Sequence, residues 1–421
     1  MFAATTHGLL IYDRLAHRFR SPVTALDGYP SGRVRRAIAD QTGNAVWLDL
    51  GTAGDYVRFD VDARTWTHGP LPSTEVDRVL TVEAALAQAP LADAMRAAIL
   101  TDSRLRIHQF TAAAATPDRA EVFFGTNGLG LVRVDKQTGE WEVLSYGLLA
   151  PGVGAVARAP DHDGGVWAAA HARFDERRGV SWVAGDLSTT RSVDFSFLYS
   201  RRLFATDAQL WVATEQGVVR IDQATWQSRT WDLQDPTCLA RTTEGMWVGT
   251  TRGLFIIKAD DRVYDIASNG LAIVSLLAAG DTVWVGTNAG LLQVLPGAGA
   301  LSTPAELAER ATLRVAVYAL ARLQDTIVMA TERELVWRNP ATRAWSSIAL
   351  PVALGRPTSV VARTDGSLWV GGTQGLAQAD LASGLIHVHA IPFEVPGPVR
   401  DLAADRSYLW AATDSGLLRI Q

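Results

Sequence analysis

Cysteine is almost absent from this chain of 421 residues, and Cys238 is the only one. A single cysteine excludes an internal disulfide and any metal site built from several thiolates. No run of 18 apolar residues occurs, so the sequence predicts no membrane-spanning helix. The first residues, MFAATTHGLLIYD, lack the basic start and long apolar segment of a signal peptide. We therefore expect a cytoplasmic protein, or a periplasmic or extracellular one whose export signal has been removed.

Strong net charge and cofactor motifs are also missing. The formal net charge is -5, which gives no reason to expect binding to nucleic acid or insertion into a membrane. No phosphate-binding loop, dinucleotide fingerprint or nucleophile motif can be found, so we expect no cofactor and no catalytic residue. With 48% hydrophobic and 20% charged residues, the chain has the composition of a globular protein.

Tryptophan, by contrast, is common, with 14 copies, and several of them recur in one short phrase. The phrase reads MWVGTTRGLFII at 246–257, with near copies LWVATEQGVVRI at 210–221 and VWVGTNAGLLQV at 283–294. Repetition at a fixed spacing, here 36 and 37 residues, is typical of repeat architectures. Aligned on the aromatic position, ten copies lie at Phe2, Trp47, Phe123, Trp167, Trp211, Trp247, Trp284, Val328, Trp369 and Trp410.

Each repeat is expected to form four short strands, as residues 240–266 illustrate. The segments ALART, MWVGT, LFIIK and RVYDIA are separated by turns that contain Gly and Asp. The second strand is apolar on both faces, with Trp247 and Gly249 on one face and Val248 and Thr250 on the other. A strand buried on both faces lies between two layers, as in a blade of a β-propeller. The sequence therefore predicts an all-β fold, in which the Trp fills the space between blades and the Gly allows close approach.

The phrases EGMWVGTTRGL, DTVWVGTNAGL and DGSLWVGGTQGL resemble the propeller repeats of two-component regulator sensor domains, over essentially the whole chain. The resemblance implies a ligand-sensing propeller, because in that family such propellers form the extracytoplasmic sensing part of histidine kinase hybrids and detect ligands such as glycans. The chain departs from the family pattern because it has no kinase region. The repeats are also similar to those of virginiamycin-type lyases, which implies an enzyme as the alternative.

The ten copies predict a single β-propeller over residues 1–421, with nine or ten four-stranded blades. A ring of eight blades after an N-terminal subdomain is the alternative, because the 76-residue spacing follows the second copy. The N-terminal phrase FAATTHGLL and the C-terminal phrase WAATDSGLL are nearly the same, so we expect 1–13 and 409–421 to lie side by side in two incomplete blades. Helical insertions are predicted at 74–100 and 303–311, since both segments begin with capping residues and continue with helix formers.

The turns between the second and third strands are the candidate binding surface, because polar residues vary there on a constant framework. These candidate ligand-binding residues are His7, Asn127, Gln216, Arg252, Asn288, Arg333, Gln374 and Asp414. The pair His387 and His389 faces one way on a strand, but no third ligand is identifiable, so no metal site is predicted. The segment DHDGG at 161–165 is interpreted as a turn, and Arg201 and Arg202 as solvated surface.

Two functions follow from these observations. The favoured hypothesis is a non-catalytic binding module, either a ligand sensor or a protein-interaction scaffold, within a larger assembly. Its partner would be a protein or a glycan-like small ligand, with the 74–100 insertion and the seam between the chain ends as docking candidates. The alternative is an enzyme of lyase or hydrolase type that uses the central funnel. Titratable groups meeting near the ring axis would favour the enzyme.

Overall fold

The computed structural model folds into two compact units, which are described separately. Unit 1 comprises residues 1–147 and 186–190, and unit 2 comprises 148–185 and 191–421. Among the described residues, no helix has the length and apolar character needed to cross a membrane. The structure describes all residues except 7, 31–33, 41–42, 52–55, 72–79, 90–92, 102–106, 119, 145, 161–164, 174–175, 198, 305–313, 339–341, 343 and 393.

The described residues of unit 1 form three antiparallel sheets and two helices. Sheet 1 is built from Phe2–Ala4, Gly8–Asp13, Arg18–Phe19 and Val23–Thr24, and a 3₁₀ turn follows at Ala25–Asp27. Sheet 2 is built from Arg36–Ala39, Ala45–Asp49, Tyr56–Asp60 and Thr65–Gly69. Helices α1, Val82–Gln88, and α2, Asp93–Leu100, come next. Sheet 3 is built from Phe110–Ala115, Glu121–Thr126, Leu131–Asp135 and Trp141–Leu144.

In the part of unit 2 that the structure describes there are seven antiparallel sheets, each made from strands that are consecutive in the chain. Sheets 4 and 5 are built from Val153–Arg158, Val166–Ala170, Gly179–Val183 and Thr190–Asp194, and from Ser200–Ala205, Gln209–Thr214, Gly217–Asp222 and Ser228–Trp231. Sheets 6 and 7 are built from Pro236–Thr242, Gly245–Thr250, Gly253–Ile257 and Val263–Ile266, and from Ile273–Ala279, Thr282–Thr287 and Gly290–Val294. Sheet 8 is built from Ala319–Leu323, Thr326–Ala330, Glu334–Arg338 and Trp345–Ala349, and a 3₁₀ turn follows at Val352–Leu354. Sheets 9 and 10 are built from Pro357–Ala362, Leu368–Gly372, Gly375–Asp380 and Leu385–Ala390, and from Val399–Ala404, Leu409–Thr413 and Gly416–Ile420.

The seven sheets of unit 2 form a closed ring. The first strand of each sheet contacts the first strand of the next, and the first strand of sheet 10 contacts that of sheet 4. The all-β propeller class is therefore confirmed, and ten sheets match the ten repeat copies. The prediction of one ring with eight, nine or ten blades is wrong, because sheets 4–10 close on one another and leave sheets 1–3 in unit 1.

The chain ends occupy incomplete sheets, as the repeat phrases indicate. Sheet 1 starts with the second strand of the repeat, and sheet 10 stops after the third. However, sheet 10 completes the ring through its contact with the first strand of sheet 4 at Val153–Arg158. Residues 1–13 therefore do not take part in closing this ring, and the expectation that they lie beside 409–421 stays a prediction. The seam was predicted from repeat phrases alone, which do not say which sheets become neighbours.

The repeated Trp and Gly have the packing roles predicted for them. Trp247 is 3% exposed and lies in one apolar cluster with Cys238 and Ile273, between sheets 6 and 7. A Cβ at Gly249 would lie 2.4 Å from Cys238 Sγ and 2.6 Å from Ile273 Cγ2, so a side chain would prevent this approach. Val248 points to the opposite face and packs against sheet 5. Both faces of the second strand are thus buried, as its apolar sequence indicates.

The repeated Thr and the following Gly fix the turn between the second and third strands. In sheet 5 the Thr214 hydroxyl donates to the Gly217 carbonyl at 2.9 Å and accepts from the Gln216 N–H at 3.1 Å. Gly217 has a φ of +113°, and a Cβ there would lie 2.1 Å from the Trp231 carbonyl oxygen. The hydroxyl-to-carbonyl bond recurs in other sheets of the ring, at Thr250, Thr287, Thr331 and Thr413. These residues are therefore structural.

Helix α1 packs against sheet 3 within unit 1. Thr81 caps its start by accepting a hydrogen bond from the Ala84 N–H at 3.2 Å. Ala85 and Ala89 are buried in a cluster that includes Phe124 of sheet 3. Within the segment 74–100, where the sequence predicts a helical insertion, the structure has helices at Val82–Gln88 and Asp93–Leu100, while 74–79 lies outside the described residues. The helix predicted at 303–311 also falls mostly outside them.

Candidate ligand-binding site

The first strands of the ring carry a repeated irregularity near their starts. In six of the seven sheets, the pairing of the first strand with the second skips one residue, which forms a β-bulge. A bulge redirects the side chain of the extra residue and is often found beside functional sites. The skipped residues, together with Tyr318 at the corresponding place in sheet 8, are called the mouth positions, and they are Gly154, Arg201, Thr237, Val274, Tyr318, Thr358 and Arg400.

All seven mouth positions line one cavity of about 630 Å³, which we call the ring mouth. Every sheet of the ring thus contributes its mouth position, which lies on the first strand or, in sheet 8, just before it, to the same cavity. The other lining residues are His171, Tyr199, Ser200, Arg202, Glu215, Arg356 and Pro357. The cavity therefore combines four guanidinium groups, two phenol rings, an imidazole and a carboxylate, and these are side chains that can bind a polar ligand.

Arg202 reaches across the interior of the ring. Its guanidinium donates to the Thr358 carbonyl at 2.7 Å and to the Arg400 carbonyl at 3.3 Å. Those residues belong to sheets 9 and 10, which are not neighbours of sheet 5 in the ring. The Arg202 Nη1 also lies 3.6 Å from Asp401 Oδ1, and the two side chains are 23% and 8% exposed. The interpretation of Arg202 as solvated surface is therefore wrong, because the ring encloses its side chain.

Asp401 is the buried carboxylate of this pair. Burial raises the pKa of Asp401, and the positive charge of Arg202 opposes that rise. The carboxylate also accepts hydrogen bonds from the N–H groups of Val156 at 3.2 Å and Leu402 at 3.0 Å. A buried carboxylate needs such compensation, since its transfer out of water is costly. The pair therefore forms a fixed polar element of the cavity wall.

The remaining arginines present donors at the mouth. Arg400 pairs with Asp414 of sheet 10, and Arg201 lies 3.4 Å from a carboxylate oxygen of Asp235. Arg356 is exposed and stacks over the Tyr318 ring at 5.7 Å, and it has no carboxylate partner among the described residues. A guanidinium carries five N–H donors, so even the paired arginines keep donors for a ligand. The mouth is therefore suited to ligands rich in oxygen acceptors.

His171 is the titratable group that distinguishes an enzyme from a binding module. Burial and the nearby Arg400 charge lower the pKa of His171, so its imidazole is neutral at pH 7. Its Nδ1 has no hydrogen-bond partner among the described residues, and its ring lies 4.9 Å from that of Tyr199. A neutral imidazole beside carboxylates such as Glu215 could act as a general base. The residue types required by the enzyme hypothesis are therefore present.

None of the described candidate residues predicted from the sequence lines the ring mouth. Some lie beside it, and others lie away from it. Asp414 reaches the cavity by pairing with Arg400, and Gln216 follows the lining residue Glu215. Four others are exposed in turns of the ring and are not among the lining residues, namely Arg252, Asn288, Arg333 and Gln374. Asn127 is exposed in unit 1, where it accepts a hydrogen bond from the Gln109 N–H, and His7 lies outside the described residues.

The mouth positions were not predicted as binding residues from the sequence, although a spacing marks most of them. Five lie ten residues before the repeated aromatic position: 201 before 211, 237 before 247, 274 before 284, 318 before 328, and 400 before 410. No residue type is common to these places, so only the alignment of the repeats could reveal them. The segment DHDGG, interpreted as a turn, lies outside the described residues apart from Gly165.

Unit 1 contains a second cavity, of about 660 Å³. Its walls are mainly the first strands of sheets 2 and 3 and the start of α1, and much of the lining is alanine. Arg14 also lines it, but its Nε is 2.5 Å from Glu121 Oε2 in an ion pair. The ring mouth is the stronger candidate because it gathers more polar side chains, from seven sheets.

Comparisons with known proteins support the fold. No family model matches the chain, and no curated protein does. A streptogramin B lyase structure is 13% identical with a TM-score of 0.53, and the match covers 65% of this chain and 95% of the lyase chain. A second similar structure is a catalytically inactive histidine-to-alanine variant of virginiamycin B lyase from Staphylococcus aureus, with quinupristin. It is 13% identical with a TM-score of 0.52, and the match covers 66% of this chain and 97% of the lyase chain.

A domain of a two-component system protein is among the similar structures as well. The extracellular domain of a hybrid two-component system protein from B. thetaiotaomicron is 11% identical with a TM-score of 0.50. The match covers 99% of this chain, which spans 66% of the length of that domain. At these identities the similarities show the fold alone, and that fold is the β-propeller. Both resemblances seen in the sequence, to sensor propellers and to lyases, therefore have structural counterparts.

Proposed function

We propose that this protein is a non-catalytic β-propeller binding module, of the two-component sensor type, and that the ring mouth binds its ligand. The observation that carries the proposal is the convergence of seven mouth positions, one from each sheet, on one cavity. The repeated Trp, Gly and Thr residues serve in packing and in turns. The mouth positions differ from sheet to sheet, as a binding surface on a constant scaffold requires.

The chemistry of the mouth favours an acidic glycan fragment. Guanidinium groups such as that of Arg356 bind carboxylates through charge-assisted hydrogen bonds. The rings of Tyr199 and Tyr318 offer apolar faces beside these donors, which suits the alternating apolar and hydroxylated surfaces of a sugar. An extracytoplasmic location, where such ligands occur, agrees with the resemblance to the extracellular domain of the two-component protein. A protein partner is a second form of the same proposal, with 74–100 as its docking candidate.

Calorimetric titration with digalacturonate, and with a neutral galactose disaccharide as the comparison, tests this proposal. We expect the acidic disaccharide to bind more tightly than the neutral one. Arg356→Ala should weaken its binding by about tenfold, the effect of losing one charge-assisted hydrogen bond. Arg252→Ala is the matched control, since Arg252 is exposed in a ring turn but does not line the cavity. Absence of binding, or equal losses in the two variants, would contradict the proposal.

The second candidate function is an enzyme of lyase or hydrolase type in the same mouth. The neutral His171 and its unpartnered Nδ1 favour this reading, as does the lyase fold among the similar structures. Incubation with quinupristin, followed by chromatography and mass spectrometry, separates the two functions. A new product that His171→Ala fails to form would support the enzyme. If the unaltered chain and His171→Ala both bind a ligand and neither forms a product, the result would support the binding module.

A further inference from the structure

Two histidines project from the outermost strand of sheet 9, on the side of the sheet farthest from the ring mouth. His387 and His389 lie on Leu385–Ala390, opposite Gln378 and Leu376 of the third strand. Residues two apart on a strand share a face, so their rings meet, with centroids 4.7 Å apart and planes at 78°. His387 is exposed and His389 is partly buried, so solvent reaches the pair.

The turn after this strand brings a carboxylate back onto the two rings. The Glu394 N–H donates to the Ala390 carbonyl at 3.0 Å, which closes the turn. Glu394 Oε2 accepts from the Ala390 N–H at 3.2 Å and is thereby fixed to the backbone. The other oxygen, Oε1, lies 3.3 Å from His389 Nδ1. The sequence pair therefore gains the third donor that could not be identified from spacing alone.

One donor atom from each of the three residues lies within 4.8 Å of the others. A zinc ion with bonds of ~2.0–2.2 Å to nitrogen and oxygen places its ligands roughly 3–3.5 Å apart. The distance from His389 to Glu394 already has this value, and His387, on the exposed face, can close the remainder by side-chain rotation. We propose that His387, His389 and Glu394 form a surface site for a divalent transition-metal ion.

The donor set indicates the kind of ion. Two imidazoles and one carboxylate suit zinc, nickel, cobalt or copper rather than calcium or magnesium, which prefer oxygen ligands. The ring of His389 stacks on Trp369 at 5.6 Å and 18°, and this contact holds the imidazole in place before an ion arrives. Since Trp369 is buried, the support is rigid. Three protein ligands leave at least one coordination position for water or for a side chain of another molecule.

Zinc titration of the full chain by calorimetry tests the site. We expect one zinc ion per chain, with binding weakened at least ~10-fold in His387→Ala and in Glu394→Gln. The control is His68→Ala, because His68 is also exposed on the outermost strand of a sheet, Thr65–Gly69 of sheet 2. This variant should bind zinc as the unaltered chain does. Thermal melting supplies a second readout, since zinc should raise the melting temperature of the unaltered chain and of the control only.

If zinc is not bound, or if His387→Ala and Glu394→Gln bind it as tightly as His68→Ala does, then the three residues form only a hydrogen-bonded surface cluster. Glu394→Gln keeps an amide oxygen that can accept from the Ala390 N–H, so this variant remains informative should His387→Ala lower stability. The ring mouth is built from other residues, so the two proposals stand or fail independently.

Discussion

The carboxylate of Asp401 accepts a hydrogen bond from the Val156 N–H at 3.2 Å, and this bond joins sheet 10 to sheet 4 where the ring closes. The corresponding position in sheet 7 is Ser275, which makes a similar link by donating to the carbonyl of Val317, just before sheet 8, at 3.1 Å. At the closing junction the acceptor is the Asp401 carboxyl group, and the Arg202 guanidinium reaches to within 3.6 Å of it from across the ring. Closure and the shape of the ring mouth therefore depend on the same carboxylate.

Asp401→Ala should destabilise unit 2 by about 2–4 kcal/mol, because it leaves the Arg202 charge and the Val156 N–H without their partner. Asp401→Asn should cost less, since one amide oxygen can still accept from the Val156 N–H. Chemical unfolding of the two variants and the unaltered chain provides the measurement. Equal stability of Asp401→Ala and the unaltered chain would show that this junction does not hold the ring closed.

Trp247→Ala should destabilise the ring by ~3–5 kcal/mol, the usual cost of removing a large buried aromatic side chain. Tyr264→Ala is the control, because Tyr264 belongs to the same sheet but is 39% exposed, and its loss should cost less than ~1 kcal/mol. Ligand binding at the mouth should persist in both folded variants. Denaturant melts that shift equally for the two substitutions would contradict the packing described for sheets 6 and 7.

Gly217→Ala should be more harmful than Gly270→Ala, although both glycines have positive φ, +113° and +72°. A Cβ at Gly270 meets nothing within 4 Å, so that variant measures backbone strain alone, about 1–2 kcal/mol. A Cβ at Gly217 would also collide with the Trp231 carbonyl, which brings the expected cost to roughly 2–4 kcal/mol. The melting temperatures of the two variants provide the measurement. A smaller loss of stability for Gly217→Ala than for Gly270→Ala would contradict the turn geometry.

Acid should destabilise the ring through the aspartates that end the third strands. In sheet 5, the N–H and hydroxyl of Thr225 donate to Asp222 and lower the pKa of its carboxyl below the ordinary 3.8. A carboxyl whose pKa is lower in the folded state contributes stability above its unfolded pKa, and this contribution is lost as pH falls through the folded value. Asp222→Asn should therefore melt lower than the unaltered chain near pH 6, and the difference should shrink below about pH 4.

The control for this pH profile is Asp232→Asn. Asp232 is exposed just after sheet 5 and makes no hydrogen bond among the described residues. Its melting curve should follow that of the unaltered chain between pH 2.5 and pH 6. If the difference for Asp222→Asn stays constant over this range, the turn aspartate does not contribute through its charge.

The framework of the fold could be predicted from the sequence because local rules decide it. Trp247 and Val248 are apolar on opposite faces, so the strand had to be buried on both sides, and the structure confirms it. The Asp at the end of the third strand marks the next turn because its carboxylate accepts two successive N–H groups, as Asp135 does from Gln137 and Thr138. These interactions span only a few residues, so the sequence displays them directly.

The ring size and the site could not be predicted because they depend on contacts between distant residues. The repeat phrase is nearly the same in sheets inside and outside the ring, so it does not show that sheet 4 meets sheet 10. Likewise, Arg201 and Arg202 are adjacent and charged, which is typical of a surface. Only the bulge at Arg201 and the far carbonyls of Thr358 and Arg400 place both residues at the ring mouth. The docking roles suggested for 74–100 and for the chain ends stay predictions.

The closing junction also has a consequence for the order of folding. Each sheet forms from consecutive strands, whereas the bond between Val156 and Asp401 joins residues 245 positions apart. Contacts between distant residues require the largest loss of chain entropy and form late. We therefore expect an open arc of the seven sheets to precede the closed ring, with the apolar flanks of sheets 4 and 10 both exposed to solvent. During synthesis the flank of sheet 4 stays exposed until sheet 10 has left the ribosome, and over this period the chain is most prone to aggregate.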